Sequence, residues 1–549
     1  MNTRSDKLNI KGKMVDAILG EEVKTEQRVA QSLPLEEMSE LLEKEKAHIR
    51  EEMGGGPSVQ KQHSLDKWTA RERIDRLFDT NTFVEMGILA HHQETTGDME
   101  GKYTPADGVI TGYGKIEGRL VCVAAYDFTV MAGSMGRVGE VKVSRIREWA
   151  IRNRIPMIWL IDSAGARIQE TASSRFAQTG DIFFEEVMMS GVVPLVCALM
   201  GPGAAGTAYV PALSDFVPMV KGKSFMALGG PPLVKAAIGE EVTEENLGGS
   251  KVHCEISGVG DLELEDDAAC IDAIREYLSY FPQNNKENPP VQTTNDPWNR
   301  RVEALTTMVP VELNKAYDMR KVITEIVDDG HFFEIKPQWA RNILIGLARV
   351  AGNSVGIVAN QPMWMGGAID VNASDKAARF IQLCDAFNIP LLYLVDTPGF
   401  MIGSAVEKQG IIRHGAKFLY ATAEATVPKF TVVIRKSFGA GYYVMNGRAY
   451  EPDLLVTWPN AQISLMGAEG AVNIIFRKEI ARAEDPIRKR RELVAEYQRK
   501  IGTKIIASTA LIDDVIHPAD TRRILSLAFE RTRNKQVERP WKKHGVMPV

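Results

Sequence analysis

Ile155-Pro-Met-Ile-Trp-Leu-Ile-Asp-Ser-Ala-Gly165 returns 234 residues later as Ile389-Pro-Leu-Leu-Tyr-Leu-Val-Asp-Thr-Pro-Gly399. In both stretches an apolar run ends in Asp and then in a turn closed by Gly, the pattern of a buried strand feeding a loop. The same offset, without a gap, pairs Gly112 with Gly346, Gly118 with Gly352, Ala125 with Ala359, Gly133 with Gly367, Lys142 with Lys376, Arg145 with Arg379, Val193-Pro194 with Val427-Pro428 and Val210 with Val444. A period this long is too large for a solenoid repeat and fits a whole domain, so the chain reads as two copies of one domain. Each copy continues with a helical stretch and a second apolar strand, Val193–Met200 and Thr431–Ile434, ending in another small-residue turn. Strands alternating with helices predict an α/β fold with helices over mostly parallel strands, and such folds bind ligands beyond the strands' carboxyl ends.

Gln283 to Asn299 is polar, proline-bearing and without apolar periodicity. It reads as a linker, dividing an N-terminal domain (31–290) from a C-terminal one (291–549), with residues 1–30 a loosely ordered extension. Leu35 to Met53 reads as a charged helix ended by Gly54-Gly55-Gly56, Thr69-Ala-Arg-Glu72 as a capping box, and Arg477 to Lys504 as a charged, solvated helix.

Composition removes several function classes. The 549 residues allow two to four domains, and 66 Lys plus Arg against 71 Asp plus Glu leave a net charge of −5. That balance lacks the electrostatic footprint of a nucleic-acid binder. Five cysteines stand far apart with no C-x-x-C pair, which excludes a disulfide scaffold or thiolate zinc site and fits a reducing compartment. Met1 to Gly20 has no apolar core, so no secretory signal is read there. Val187 to Ser214 runs 28 residues without a charge, but its three prolines and four glycines mark a buried strand and a turn, not a span. The expected protein is soluble and cytoplasmic, with no membrane insertion.

Gly201-Pro-Gly-Ala-Ala-Gly206 matches G-x-G-x-x-G, yet the ribose-binding acid expected about 20 residues on is missing. The counterpart in the second copy, Arg435-Lys-Ser-Phe-Gly-Ala440, has lost the first two glycines. What both copies keep is a side-chain-poor turn at a helix start. Such a turn either permits close helix–strand packing or brings unpaired N–H donors, backed by the helix dipole, to an oxyanion. Ala132-Gly-Ser-Met-Gly136 lacks the first glycine of a nucleophile elbow, His253 and His414 have no spacing to a Ser or Cys, and His91-His92 is a bare pair without metal-ligand spacing.

At these residues the sequence resembles the carboxyltransferase (β) subunits of biotin-dependent acyl-CoA carboxylases. The resemblance spans about residues 60 to 549. It rests on TARERID (69–75), DSAGARIQE (162–170), the turn with AYVPAL (201–213), LGGSKVH (247–253), NQP (360–362), CDAFNIP (384–390), DTPGF (396–400), GIIRHGAK (410–417), AEATVPK (423–429), WPNA (458–461) and DDVIHPADTRR (513–523). It implies tandem crotonase-like (ββα-spiral) domains and transfer of CO2 from carboxybiotin to the α or vinylogous γ carbon of an acyl-CoA. Two oxyanions, the thioester enolate and the biotin ureido oxygen, then need two holes and no side-chain base. By family position Ala205 and Gly206 hold the enolate, and Ala440 and Gly441 the ureido oxygen. Ser134, Ala164, Gly165, Ala166 and Tyr443 fall to the acyl-CoA, and Gly399, Phe400 and Gly439 to biotin. No metal is implied.

No biotinyl-lysine motif and no ATP-binding glycine loop is seen in this sequence. The resemblance therefore implies a biotin carboxyl carrier protein and a biotin carboxylase, separate or fused in one α subunit, and a homohexamer built from dimers, with the pocket between the N-domain of one subunit and the C-domain of another. Two departures bear on the substrate. Tyr443 stands where propionyl- and acetyl-CoA members usually have Asp, which predicts an acyl group other than plain propionyl. Ala205 stands where most members have Gly, and its Cβ is tolerable at negative φ. Competing readings are the α subunit of a carboxyacyl-CoA decarboxylase running the half-reaction backwards, a dinucleotide oxidoreductase, and a non-catalytic assembly subunit.

Overall fold

The computed structural model describes residues 33–549 apart from 95, 96, 173, 175, 176 and 178, so the extension read over residues 1–30 lies outside the described residues. The chain divides into two compact units, Met1–Val252 with Glu263–Arg275, and His253–Leu262 with Glu276–Val549.

The first unit opens with helices α1 (Leu35–Glu52), α2 (Gly56–Ser64) and α3 (Ala70–Leu77). The capping box that starts α3 is complete: Thr69 Oγ1 accepts the Glu72 N–H at 3.3 Å and Glu72 Oε2 accepts the Thr69 N–H at 2.7 Å. Its sheet contains β1 (Val84–Met86), β2 (Val109–Ile116), β3 (Arg119–Tyr126), β4 (Met157–Ser163), β5 (Leu195–Ala204), β6 (Pro218–Val220), β7 (Phe225–Ala227) and β8 (Leu262–Leu264), in the order β1-β2-β3-β4-β5-β6-β8 with β7 beside β5. Helices α4 (Arg137–Asn153), α5 (Asp181–Met189) and α6 (Tyr209–Leu213) follow β3, β4 and β5 in turn. The central strands β4 and β5 are almost wholly buried, which is why they read as continuous apolar runs rather than alternating ones.

The second unit repeats this. Its strands are β9 (Phe332–Ile335), β10 (Ile343–Val350), β11 (Asn353–Asn360), β12 (Leu391–Thr397), β13 (Lys429–Phe438), β14 (Leu454–Thr457), β15 (Gln462–Ser464) and β16 (Asp514–Val515), with α7 (Val371–Ala386), α8 (Ile411–Glu424) and α9 (Ala440–Val444) on the connections. The order is β16-β14-β13-β12-β11-β10-β9, with β15 beside β13. The repeat extends to single residues. Cys122 pairs with Met157 and Met157 with Leu195, just as Gly356 pairs with Leu391 and Leu391 with Lys429. Both central pairs slip register at the same place, between Ile161 and Ser163 and between Val395 and Thr397. The repeated lysines do one job. Lys142 donates to the carbonyls of Ala106 and Val109, and Lys376 to those of Lys336, Trp339, Ala340 and Ile343; burial pushes the first down to about 8 and the second to about 7.

Two expectations change. Gln283 to Asn299 is not a free linker: it belongs to the second unit, where the Gln292 N–H donates to Gly352 O (3.0 Å) and Asn388 Nδ2 to Glu287 O (2.8 Å). The charged stretch from Arg477 is three helices, Arg477–Arg482, Pro486–Lys500 and Thr503–Ser508, because Pro486 lacks a donor and Asp485 caps a new start. Val187 to Ser214 holds the end of α5, all of β5 and α6, and no described helix is long and apolar enough to cross a membrane.

At each register slip sits a fully buried carboxylate, Asp162 or Asp396. Asp162 accepts from Gln62 Nε2 (2.9 Å), Lys67 Nζ (2.7 Å) and Arg73 Nη1 (3.1 Å), all on or beside the leading helices. Gly201 makes room for them: a Cβ there would run into Asp162 Oδ1 and Lys67 Nζ. In the second copy the residue at Gly201's register is Arg435, whose Nε donates to Asp396 at 2.7 Å while Nη1 reaches the carbonyls of Pro310, Glu312 and Lys315. Arg435 lies wholly within the fold, so Asp396→Ala strands a buried guanidinium and is expected to cost about 3–5 kcal/mol of unfolding free energy. Denaturant unfolding checks this, and a loss under about 1 kcal/mol would assign the carboxylate no such role.

Candidate functional site

Beyond each buried Asp the backbone makes the same pair of turns. The first is 163–166, repeated as 397–400. Ser163 Oγ and Thr397 Oγ1 each accept the N–H two residues on, from Gly165 and Gly399, at 3.1 Å. Gly165 and Gly399 have φ of 94° and 109°, in the region glycine favours. A Cβ on either would stand 2.9 or 3.0 Å from the carbonyl oxygen that ends the neighbouring strand, Ala204 or Phe438. The first turn is fastened to the loop after β3 or β11 by one parallel bridge per copy, Met135 with Ala166 and Ile369 with Phe400. Beside the first copy's bridge a cavity of about 600 Å³ is lined by Met135, Gly136, Glu140 and Asp181 among others.

The second turn leaves β5 or β13 and starts a helical segment, the 3-10 turn Ala205–Ala208 running into α6, or α9. Its first residue has positive φ in both copies, 57° at Ala205 and 56° at Gly439. The condition under which a Cβ at Ala205 reads as tolerable, a negative φ, is not met: the alanine holds a left-handed conformation, a strain of about 1–3 kcal/mol. The repeat register therefore pairs Ala205 with Gly439, Gly206 with Ala440 and Thr207 with Gly441. The Gly439 N–H donates to Ser464 O (3.0 Å) and the Tyr442 N–H to Gly439 O (3.1 Å). Ala440 and Gly441 lie between them in the first helical turn, where N–H groups have no acceptor within the helix. Gly206 and Ala440 are exposed and Gly441 is buried.

The remaining predicted residues gather around these turns within their own units. Ala164 and Ala166 are exposed on the first turn, Phe400 is half-buried on its counterpart, and Gly415 lies close under the Phe400 ring. Ser134 is buried behind the first turn. Tyr443, 47% exposed on α9, lies in a cluster with Tyr442 and Tyr450, with ring centres 6.0 and 6.4 Å away. Side chains suited to nucleophilic work are engaged elsewhere. His253 meets Ser257 (2.9 Å) and His414 meets Asp375 (2.8 Å). All five cysteines are buried, and burial pushes the Cys122 thiol up to about 12 and raises Cys197, Cys270 and Cys384 as well. Among the described residues no group of three or more His, Cys, Asp or Glu could hold a metal ion. What the two turns offer is main-chain donors at helix starts, suited to stabilising an oxyanion.

The profile of the carboxyl transferase domain matches residues 61–547. The chain belongs to the carboxyl transferase family. The crystal structure of transcarboxylase 12S, a hexamer assembly with methylmalonyl-coenzyme A and methylmalonic acid bound, matches with a TM-score of 0.90 at 46% identity, covering 94% of this chain and 99% of that one. The carboxyltransferase subunit of propionyl-CoA carboxylase from Haloferax mediterranei is 45% identical over 498 residues, 90% of this chain and 96% of its own length. The alpha subunit of methylmalonyl-CoA decarboxylase from Propionigenium modestum is 44% identical over 510 residues, 92% of this chain and 98% of its own. As a member of this family the chain is a biotin-dependent acyl-CoA carboxyltransferase with tandem crotonase-like domains.

The two glycines of the helix starts differ in the room around them. A Cβ on Gly441 would stand 2.9 Å from both Gly399 Cα and Thr397 Cγ2, whereas one on Gly206 meets nothing nearer than Phe183 Cζ at 3.8 Å. Gly441→Ala is expected to lower turnover by about 100-fold or more, the scale of losing one oxyanion donor, and Gly206→Ala by less than about 10-fold. Steady-state carboxyl transfer by the two variants checks the contrast.

Proposed function

We propose that the two copies hold the two oxyanions of one carboxyl transfer. The observation that carries this reading is the repeated double turn: Gly165 against the end of β5, and Gly399 against the end of β13, each beside a helix start, where the first N–H groups have no acceptor within the helix. In the first copy the N–H groups of Ala205 and Gly206 face the thioester oxygen, with the Thr207 N–H as the register counterpart of Gly441. In the second copy the Ala440 and Gly441 N–H groups face the biotin ureido oxygen. The second copy suits a flat, polar bicycle because its cradle is bare of side chains: Gly399 and Gly439 both hold positive φ, and Phe400 supplies one half-buried ring.

Carboxybiotin, held on a carrier protein, supplies CO2 and then a nitrogen able to take the α-proton. This chain's part is electrostatic. Its donors stabilise negative charge on the thioester oxygen as the α-proton leaves, and they orient the α-carbon towards CO2. Gly165 and Ala166 give backbone contact to CoA, with Ser134 behind them. No side-chain base is needed, which agrees with the engagement of His253 and His414 elsewhere. The working assembly is a homohexamer fed by a biotin carboxyl carrier protein and, for ATP-driven carboxylation, a biotin carboxylase. Net decarboxylation uses the same half-reaction in reverse and is distinguished by its independence of ATP.

Turnover of carboxyacyl-CoAs with free biotin tests the reading. Malonyl-, methylmalonyl-, ethylmalonyl-, 3-methylglutaconyl- and glutaconyl-CoA are followed by loss of CO2, and one or two are expected to react. Silence across the panel together with no CoA binding would overturn it. Within the same assay, Tyr443→Asp is expected to move the preference between methylmalonyl-CoA and the other acyl groups by about tenfold, the scale of one or two methylenes in a pocket. An unchanged preference would remove Tyr443 from the acyl end.

A further inference from the structure

The two copies share backbone geometry but not the side chains that brace it. In the first copy the wholly buried Arg167 gathers three segments. Its Nη1 donates to Asp107 Oδ1 (2.5 Å) and Glu170 Oε1 (2.8 Å), its Nε to Ser134 Oγ (3.2 Å), and its Nη2 to Ser134 O (3.0 Å) and Asp107 O (3.4 Å). The free oxygens of both carboxylates turn to the start of α4: Asp107 Oδ2 accepts the Gly139 N–H at 2.6 Å and Glu170 Oε2 the Arg137 N–H at 2.9 Å. Helix α4 has Gly136 at its cap and no capping side chain of its own, so these two distant carboxylates do that work. One guanidinium thus fastens the turn at 163–167, the loop at 131–136 and the 104–109 turn to one another and to a helix.

At the corresponding registers the second copy has Arg341, Ala368, Met401 and Ser404 in place of Asp107, Ser134, Arg167 and Glu170. Its backbone bridge still forms, with the Ile369 N–H on Gly399 O (3.0 Å) and the Met401 N–H on Ile369 O (2.8 Å), and its helix α7 is capped locally by Asp370. Its brace is a neutral one: the buried Asn342 Nδ2 donates to Ala368 O (2.7 Å) and to the cap carboxylate Asp370 Oδ1 (3.1 Å). One amide suffices to hold the double turn in the second copy, so the ionic clamp of the first goes beyond what the turn alone needs.

We infer that Arg167 is a positioning residue for the acyl-CoA side of the reaction, holding the Gly165–Ala166 turn and Ser134 in one rigid body. This rests on the assignment of the first copy to acyl-CoA. Burial makes such a clamp stiff: removing one partner strands charged groups out of water, and the turn then gains room to move.

The test is Arg167→Met, which reproduces the second copy's residue, beside Arg167→Lys, in the full chain. Free-biotin decarboxylation gives KM for the carboxyacyl-CoA and KM for biotin separately. Arg167→Met is expected to raise the first about tenfold or more, as sub-ångström misplacement does, and to leave the second within about twofold; Arg167→Lys recovers part of the loss. Equal changes in both KM values, or none, would overturn the inference. Amide exchange supplies a readout independent of substrate. The Met135 N–H, bonded to Gly165 O at 2.9 Å, and the Arg167 N–H, bonded to Met135 O at 2.9 Å, are expected to exchange faster in Arg167→Met, while those of Ile369 and Met401 keep their rates. Unchanged exchange at Met135 and position 167 would refute the clamp even if the wild-type protein turned over none of the thioesters. Should Arg167→Met fail to fold, Glu170→Gln, which keeps the shape and removes one charge, is read by the same two measurements.

Discussion

Everything near the two turns hangs on a carboxylate buried where a central strand slips register. A charge taken out of water is tolerable only when cations and hydrogen bonds surround it, and Asp162 and Asp396 are each so surrounded. The slip lets the strand end turn outward, and the carboxylate's partners fix where it turns. In the first copy those partners come from Gln62, Lys67 and Arg73, which ties the leading helices to the strand ends. In the second, Arg435 reaches from the adjacent strand and also gathers three carbonyls of the 310–315 segment. The helix-start N–H groups are therefore positioned by a charge held wholly inside the fold.

The division of labour between backbone and side chain follows from this. In the proposed reading the groups that meet an anion are main-chain N–H groups, which do not titrate near neutral pH. The buried lysines of the repeat are drawn into bracing, Lys142 and Lys376 each by its carbonyl partners. Such a site depends on geometry more than on proton inventory, so close approaches such as Gly165 to Ala204 O and Gly441 to Gly399 matter as much as any reactive group.

Much of this was legible in the sequence because the duplication supplied two samples of one design. The offset of 234 residues located the strands, both turns and the repeated lysines, and the capping box at Thr69 placed a helix start to the residue. What escaped depends on long-range pairing. Replacement of Gly201 by Arg435 at one register was visible, but that both answer the same buried Asp needed the fold. The sequence could state the condition for a Cβ at Ala205, a negative φ, but the angle itself, 57°, is set by the tertiary frame. The run from Arg477 reads as one charged, solvated helix by composition, which does not register Pro486, whose missing donor starts a new helix. The segment 283–299 was read as a linker by composition, which is silent about the Gly352 and Asn388 partners that bind it down.

The unlike treatment of Asp162 and Asp396 has a genetic consequence. Tandem duplications are prone to recombine with themselves, trading a stretch of one copy for the matching stretch of the other. Here an exchange across β5 and β13 would put Gly201 and Pro202 in place of Arg435 and Lys436, removing the cations that stand 2.7 and 3.6 Å from Asp396. The reverse exchange would drive the Arg435 side chain into space already filled by Asp162 and Lys67. Either hybrid carries a buried charge without its partner or a clash, so neither half can take the other's strand without a loss of folding free energy.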